Sequence, residues 1–429
     1  MSAWAVFVVA AVVAGYALVS ARAAAWAVSG PMIFVAVGTA LGEPGLGLVS
    51  PAHDVEPVRA LLEAALALVL FTDAAGVHSR ELRRDDFLPV RLLGIGLPLT
   101  IGLGWLAAWP LLPGLGVWGL ALVGTILAPT DAALGQPAIT DRRVPALVRQ
   151  GLNVESGLND GLCVPFFVLF LAAAGQEAGR AGTPGAGEVV VRALLLSTVC
   201  GIGLGLPAGW ALVRSRRRGW AAGEWRQLLP AMIAFGSFAA AAALEGSGFI
   251  AAWVAGLAYG NAVRRHPTER GTPDPECELT ERLGALLAML SFFAFGALLL
   301  APALNELTWR MAVYAVLSLT VIRGLPVALS LARSGLRPPT VAYVAWFGPR
   351  GLASIVLGLL VLEERIPGTE QVSAVVALTV TISVYAHGVS AGVLAGRYGR
   401  WYRAAAARTP GLREDAPASS DGTGIALRG

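Results

Sequence analysis

Apolar runs of about twenty residues, separated by short polar joints, organise this chain, and about twenty helical residues are what a hydrocarbon core requires. Runs of this kind predict about thirteen transmembrane helices, near residues 3–21, 30–49, 58–77, 88–109, 115–137, 150–174, 188–213, 227–244, 247–262, 282–301, 309–332, 339–361 and 371–396. The eighth and ninth are short and are joined only by Glu245-Gly246-Ser247-Gly248. The first run has no basic segment before it and further runs follow at once, so it reads as a membrane helix and not as a cleaved leader. The expected fold class is therefore an all-α polytopic membrane protein. Residues 1–397 form the transmembrane unit, and 398–429, rich in Ala, Arg, Gly and Ser, read as a short disordered cytoplasmic tail.

Composition agrees: 56% of residues are hydrophobic and 14% charged, a balance that excludes a soluble domain of this size. Arginines alternate between the joints. Arg80, Arg83, Arg84 and Arg91 share one, Arg142, Arg143 and Arg149 the next of that side, then Arg214, Arg216, Arg217, Arg218 and Arg226, and so on to the tail. The positive-inside rule then puts the N-terminus outside and the C-terminus in the cytoplasm of a bacterial or archaeal cell membrane. Cys163, Cys200 and Cys277 are too scattered for a disulfide framework or a zinc site. Nothing points to a cofactor or to nucleic acid, and membrane lipid is the expected surrounding.

Against this background the ionisable residues inside apolar runs stand out, because such groups cost several kcal/mol each. Asp131 lies in Ala128-Pro129-Thr130-Asp131-Ala132; Glu155 and Asp160 lie in Asn153-Val154-Glu155-Ser156-Gly157-Leu158-Asn159-Asp160-Gly161. Pro129 and Pro137 predict a break in the fifth helix, and Trp346-Phe347-Gly348-Pro349-Arg350-Gly351 predicts a matching break in the twelfth. Paired interruptions in two halves of a chain are the sequence mark of inverted repeats that carry an ion site on broken helices. Broken ends expose partial charges. Asp131 can balance N-terminal ends, contact an ion, or both, and Arg350 can balance C-terminal ends.

A carboxyl group withdrawn from water without a counter-charge holds its proton more tightly, which brings proton exchange near neutral pH. One intramembrane arginine, Arg323, is available to two acids; it is expected to pair with Glu155, with Asn159 bridging, and to leave Asp160 free. Hard cations prefer oxygen, so the expected shell is Asp160, Asp131, the Ser156 hydroxyl and Thr130. Asp73 and Glu63 read as funnel or interfacial charges. His53, His78 and His266 fall in joints and His387 near the inner end of the last helix, where each could sense pH. Trp26, Trp109, Trp220, Trp309 and Trp401 read as an interfacial belt.

At these residues the chain resembles the cation/proton antiporter-1 family of sodium/proton antiporters. The likeness is carried by the Thr130-Asp131 break, Glu155-Ser156-Gly157-Leu158-Asn159-Asp160, Gly246 to Ala251 with Gly256, Gly260 and Asn261, and Gly348-Pro349-Arg350-Gly351. It runs from about residue 30 to His387-Gly388, and departs from the family at Ala132, where proline is frequent. The resemblance implies a homodimer with a dimerisation domain and a moving six-helix ion-binding domain, the two unwound helices crossing. It implies ion binding at Thr130, Asp131, Ser156 and Asp160, and structural roles for Glu155, Asn159 and Arg323. Asn159, where electrogenic relatives carry a second aspartate, implies electroneutral exchange. The expected activity is antiport of Na+ or Li+ for H+, with K+/H+ antiport as the alternative. An uncoupled channel and an intramembrane hydrolase are weaker readings, since a hydrolase would need both acids to face one substrate cleft.

Overall fold

The computed structural model describes residues 3–26, 28–42, 45–47, 51–77, 87–178, 185–265, 276–364, 366–409 and 411–415. The described residues are helical, with no strand among them. In chain order the helices are α1 (Ala3–Ala25), α2 (Gly30–Leu41), α3 (Pro51–Gly76), α4 (Phe87–Leu111), α5 (Val117–Ile126), α6 (Gln136–Thr140), α7 (Ala146–Glu177) and α8 (Ala186–Arg218). They continue as α9 (Leu229–Ala243), α10 (Gly248–Arg264), α11 (Cys277–Asn305), α12 (Trp309–Ser330), α13 (Pro338–Trp346), α14 (Leu352–Glu363) and α15 (Thr369–Arg408). Six of them, α4, α7, α8, α11, α12 and α15, are long and apolar enough to cross a membrane. Both expected breaks are present: 115–137 divides into α5 and α6, and 339–361 into α13 and α14.

Three boundaries differ clearly from expectation: α2 ends at Leu41 and not near 49, and the other two are the start of α3 and the tail. Helix α3 begins at Pro51 and not near 58, so His53 lies in a helix and not in a joint; His78 and His266 lie outside the described residues. The tail expected from 398 begins inside α15, which continues to Arg408. Beyond it Glu414 is buried and accepts from the backbone N–H of Arg337 at 2.8 Å and from the Thr340 hydroxyl at 2.7 Å. Ala404 to Ala407 and the arginines around them are good helix formers, so low apolar content did not mean loss of structure.

The helices pack as two sets. Helices α2, α3, α8, α9, α10 and α11 lean on one another, and α5, α12 and α14 pack with α4, α7 and α15 around the broken segments. Small residues let the backbones close. Gly201, Gly205 and Gly209 on one face of α8 meet the backbone of α10 at Ala251, Ala255 and Tyr259, where any side chain would collide. In a membrane, where lipid is as apolar as leucine, such close packing is the main source of helix association. Gly256 and Gly260 on the opposite side of α10 do the same against Phe71 and Ala75 of α3. Arg264 then donates to the carbonyls of Ala75 and Val77, closing the end of α3.

Candidate functional site

The two extended breaks touch: the Asp131 N–H donates to the Pro349 carbonyl at 2.8 Å. Each break supplies the charge that the other needs. Asp131 accepts from the N–H of Leu352 at 3.0 Å, the first residue of α14, and from its own neighbour Ala133 at 2.8 Å. A carboxylate is thereby held where a helix N-terminus exposes donors. Arg350, wholly buried, donates to the carbonyls of Ala128 and Pro129, just past the end of α5. Ser354 of α14 takes the Ile126 carbonyl at 2.7 Å. Several orphan backbone groups of the crossing are thus satisfied by side chains, as irregular backbone inside a membrane protein requires.

The Gly-Pro-Arg-Gly sequence has a reason at each glycine. A methyl group on Gly351 would overlap the Asp131 carboxylate, and one on Gly348 would lie 2.5 Å from Nε of Arg323. Gly351→Ala is accordingly expected to push Asp131 off the α14 terminus and to lower the unfolding temperature of the purified protein. Losing one charge-assisted bond and relieving the clash costs about 2–4 kcal/mol, which a thermal-shift assay by size-exclusion chromatography resolves.

Helix α7 presents the remaining residues. Arg323 of α12 makes a two-pronged contact with Glu155, Nη1 to Oε1 at 2.5 Å and Nη2 to Oε2 at 2.9 Å, all of it buried. Asn159 does not bridge that pair: its amide N–H donates instead to the Thr130 hydroxyl at 2.6 Å, and its Oδ1 is buried without a partner. One turn of helix separates Glu155 from Asn159, and the turn carries Asn159 round towards the crossing. Ser156 donates to the Thr130 carbonyl at 2.5 Å. Both oxygens of Thr130 are therefore engaged by α7, so the crossing and α7 meet at that one residue.

Asp160 is buried, and among the described residues its side chain has no ion pair and no hydrogen bond; Oδ1 is enclosed without a partner. The charged side chains whose fields reach it are those of Asp131, Asp73 and Arg350. Among the described residues no three His, Cys, Asp or Glu side chains stand close enough to hold a resident metal ion. Ser156 and Thr130 meet beside Asp160 on α7, so hydroxyl, carbonyl and carboxylate oxygens are gathered in one region.

The matching family model is that of sodium/hydrogen exchangers, transmembrane, over residues 8–396. The chain belongs to this exchanger family. Within it the chain is 27% identical over 382 residues to the K(+)/H(+) antiporter NhaP of Alkalimonas amylolytica, covering 87% of this chain and 62% of that one. It is 26% identical over 365 residues to the K(+)/H(+) antiporter NhaP2 of Shewanella sp. (strain MR-4), covering 84% and 61%. The chain thus spans about three fifths of the length of these relatives. The fold matches that of the sodium proton antiporter MjNhaP1 from Methanocaldococcus jannaschii at pH 8, with a TM-score of 0.70 at 21% identity over 92% of this chain and 99% of that one.

For this exchanger-family chain, two features of the site were not apparent in the sequence. Asp73, expected at the interface, faces α7: a methyl group on Gly157 would lie 3.1 Å from its Cβ. The absence of a side chain at Gly157, one turn from Asp160, is what admits a third carboxylate. The second feature is a polar face on α15. Ser383 accepts from the Arg350 N–H at 2.6 Å, His387 Nε2 meets the Trp346 carbonyl at 3.0 Å, and Ser390 meets the Trp346 indole N–H at 3.0 Å. Spaced four and three apart, these residues share one helix face and hold both sides of the second break. That contact gives His387 a structural task at the end of α13.

Proposed function

We propose that the chain is a secondary antiporter that exchanges a monovalent cation for a proton across the cell membrane by alternating access. The observation that carries this reading is Asp160, a buried carboxylate without a partner beside the oxygens of Ser156 and Thr130. Protonated, Asp160 is neutral and tolerable in a low dielectric; ionised, it needs a counter-charge, which a small cation supplies. The two occupants exclude one another, and competition for one site combined with alternating access gives coupled exchange. When the cation enters, rotation of the Ser156 hydroxyl turns its lone pairs and the freed Thr130 carbonyl towards the ion. Asp131 contributes negative potential while remaining tied to the start of α14.

Na+ is the proposed cation, with Li+ also accepted; K+ is the second reading, favoured by the K(+)/H(+) antiporter names of the two relatives. With Asn159 neutral, one cation exchanges for one proton and no net charge crosses. The set of helices around the crossing is assigned as the ion-binding domain and the α2, α3 and α8–α11 set, with α1, as the dimerisation domain of a homodimer, N-terminus outside. Proteoliposomes carrying a pH-sensitive dye test the reading. Sodium, lithium and potassium are added in turn, with and without a potential clamp. Cation-induced proton efflux that is indifferent to the clamp supports electroneutral antiport, and cation flux without proton movement overturns it.

Asp73 gives a graded prediction. Asp73→Asn removes a negative charge close to Asp160, and the half-saturating cation concentration is expected to rise roughly tenfold, the equivalent of about 1.4 kcal/mol, with the maximal rate retained. An unchanged half-saturation would place Asp73 outside the field of the site.

A further inference from the structure

Each break is reached through a short half-helix, α5 before the first and α13 before the second, and neither carries a cap of its own. Gly116 and Arg337 precede them without a side-chain bond to the first turn, and no acidic residue stands in either first turn. Carboxylates from elsewhere in the chain take the donors exposed there. Glu414 serves α13. At the start of α5 the acceptor is Glu177, the last residue of α7: its Oε1 accepts from the N–H of Val117 at 3.1 Å and its Oε2 from that of Trp118 at 3.3 Å. The two caps lie towards opposite ends of α7, because Arg413, beside Glu414, covers the Phe87 ring, and the adjoining Leu88 packs on Gly151 near the beginning of that helix.

The tie at α5 has two parts. Trp118 stacks on Trp105 of α4 and on Phe170 of α7, with ring centroids 5.8 Å apart in both pairs. Stacked rings set the spacing of the helices but can slide across one another. The N–H groups of a first turn point along the helix axis, so bonds to them resist displacement of α5 along that axis. Gly116 makes room for the carboxylate: a methyl group there would lie 2.5 Å from Oε2 of Glu177. Past the other end of α5, only Leu127, Ala128 and Pro129 precede Thr130, whose carbonyl and hydroxyl are engaged by Ser156 and Asn159 of the same α7. Helix α7 thus grips the first broken segment at two points, one adjoining Asp160 in sequence and one at its own far end.

Building on the antiport reading, we propose that Glu177 is a positioning residue for the ion site. Its carboxylate fixes α5 along its axis, and α5 in turn sets where Thr130 and Asp131 stand relative to Asp160. Glu177 is exposed, so water can replace it as an acceptor for the two N–H groups and the fold survives its loss. Water cannot tie α5 to α7.

The test uses full-length variants, each first shown to elute as the unaltered protein does and then reconstituted in proteoliposomes at matched amounts. Glu177→Ala is expected to raise the half-saturating concentration of the cation that drives exchange, whether sodium, lithium or potassium, about fivefold, which is what loss of one helix cap amounts to. The maximal rate is retained, and Glu177→Gln, which keeps an acceptor oxygen, recovers most of the affinity. Gly116→Ala displaces the carboxylate and is expected to match Glu177→Ala, with the double variant no worse than either, since both changes act on one contact. A merely structural role would lower the yield of assembled protein and leave half-saturation alone. Unchanged half-saturation in Glu177→Ala overturns the proposal, as do additive effects in the double variant. If the unaltered protein moves no protons when any cation is added, the antiport reading fails, and Glu177 is then judged by the rise in unfolding temperature that each chloride salt gives the detergent-solubilised protein. A rise that needs about fivefold more salt in Glu177→Ala supports the positioning role; an identical rise in both proteins, or none in either, overturns it.

Discussion

Asp160→Asn proteoliposomes are expected to give no proton signal on addition of sodium, lithium or potassium, with the protein assembled as before. The substitution preserves size and leaves a carbonyl oxygen that could still face a cation. It removes the two properties on which the proposed exchange depends: the amide cannot take up or release a proton, and it carries no charge to offset a cation withdrawn from water. Because the Asp160 side chain has no ion pair or hydrogen bond among the described residues, the substitution breaks no contact, and stability should be unchanged or slightly raised. The loss is thus expected in transport alone. Retained cation-induced proton movement in this variant would remove Asp160 from the mechanism and direct attention to Asp131 or Asp73.

Arg323→Ala should fail in the opposite way. Its guanidinium is, among the described residues, the partner of a buried Glu155, held by two bonds, and removing one member of such a pair costs about 3–5 kcal/mol because the other charge stays in a low dielectric. The side chain also threads past Gly348, so its loss opens a gap beside the second break. The expected result is poor assembly, read as loss of the monodisperse peak in size-exclusion chromatography. Glu155→Leu combined with Arg323→Met should recover much of the assembly, since apolar residues of similar volume can replace a buried pair at little cost. A well-assembled but inactive Arg323→Ala protein would instead put Arg323 on the ion pathway.

Much of the architecture is written locally. Long apolar runs specify helices, proline and glycine specify the breaks, and a carboxylate within such a run is conspicuous wherever it folds. The competition of two acids for one arginine also suffices to pair Glu155 with Arg323 across 168 positions. Contacts that depend on how far one helix is turned against another are not legible in this way. Asn159 turns to Thr130 and not to Glu155; Asp73 lies against a glycine on a helix more than eighty residues later in the chain; and Ser383 and Ser390 look unremarkable, and His387 reads only as a group that could sense pH, until α15 lies against the second break. Asp73 did carry one signal, its place at the end of an apolar run, and interfacial residues share that signal. Residues 398–408 were misjudged for a different reason: a helix end needs helix-forming residues and not an apolar stripe.

That helix has mechanical consequences. At forty residues α15 is roughly 60 Å long, about twice the thickness of a hydrocarbon core. One part of it grips the crossing through Ser383 and His387, and the chain that follows returns to place Glu414 on the first turn of α13. The broken half-helix is therefore held at both of its ends by a single rod and its hook. A load on residues 411–415 would be carried straight to the crossing, and releasing Glu414 would strip the first turn of α13 of its acceptor, so the far end of the rod is a handle on the crossing.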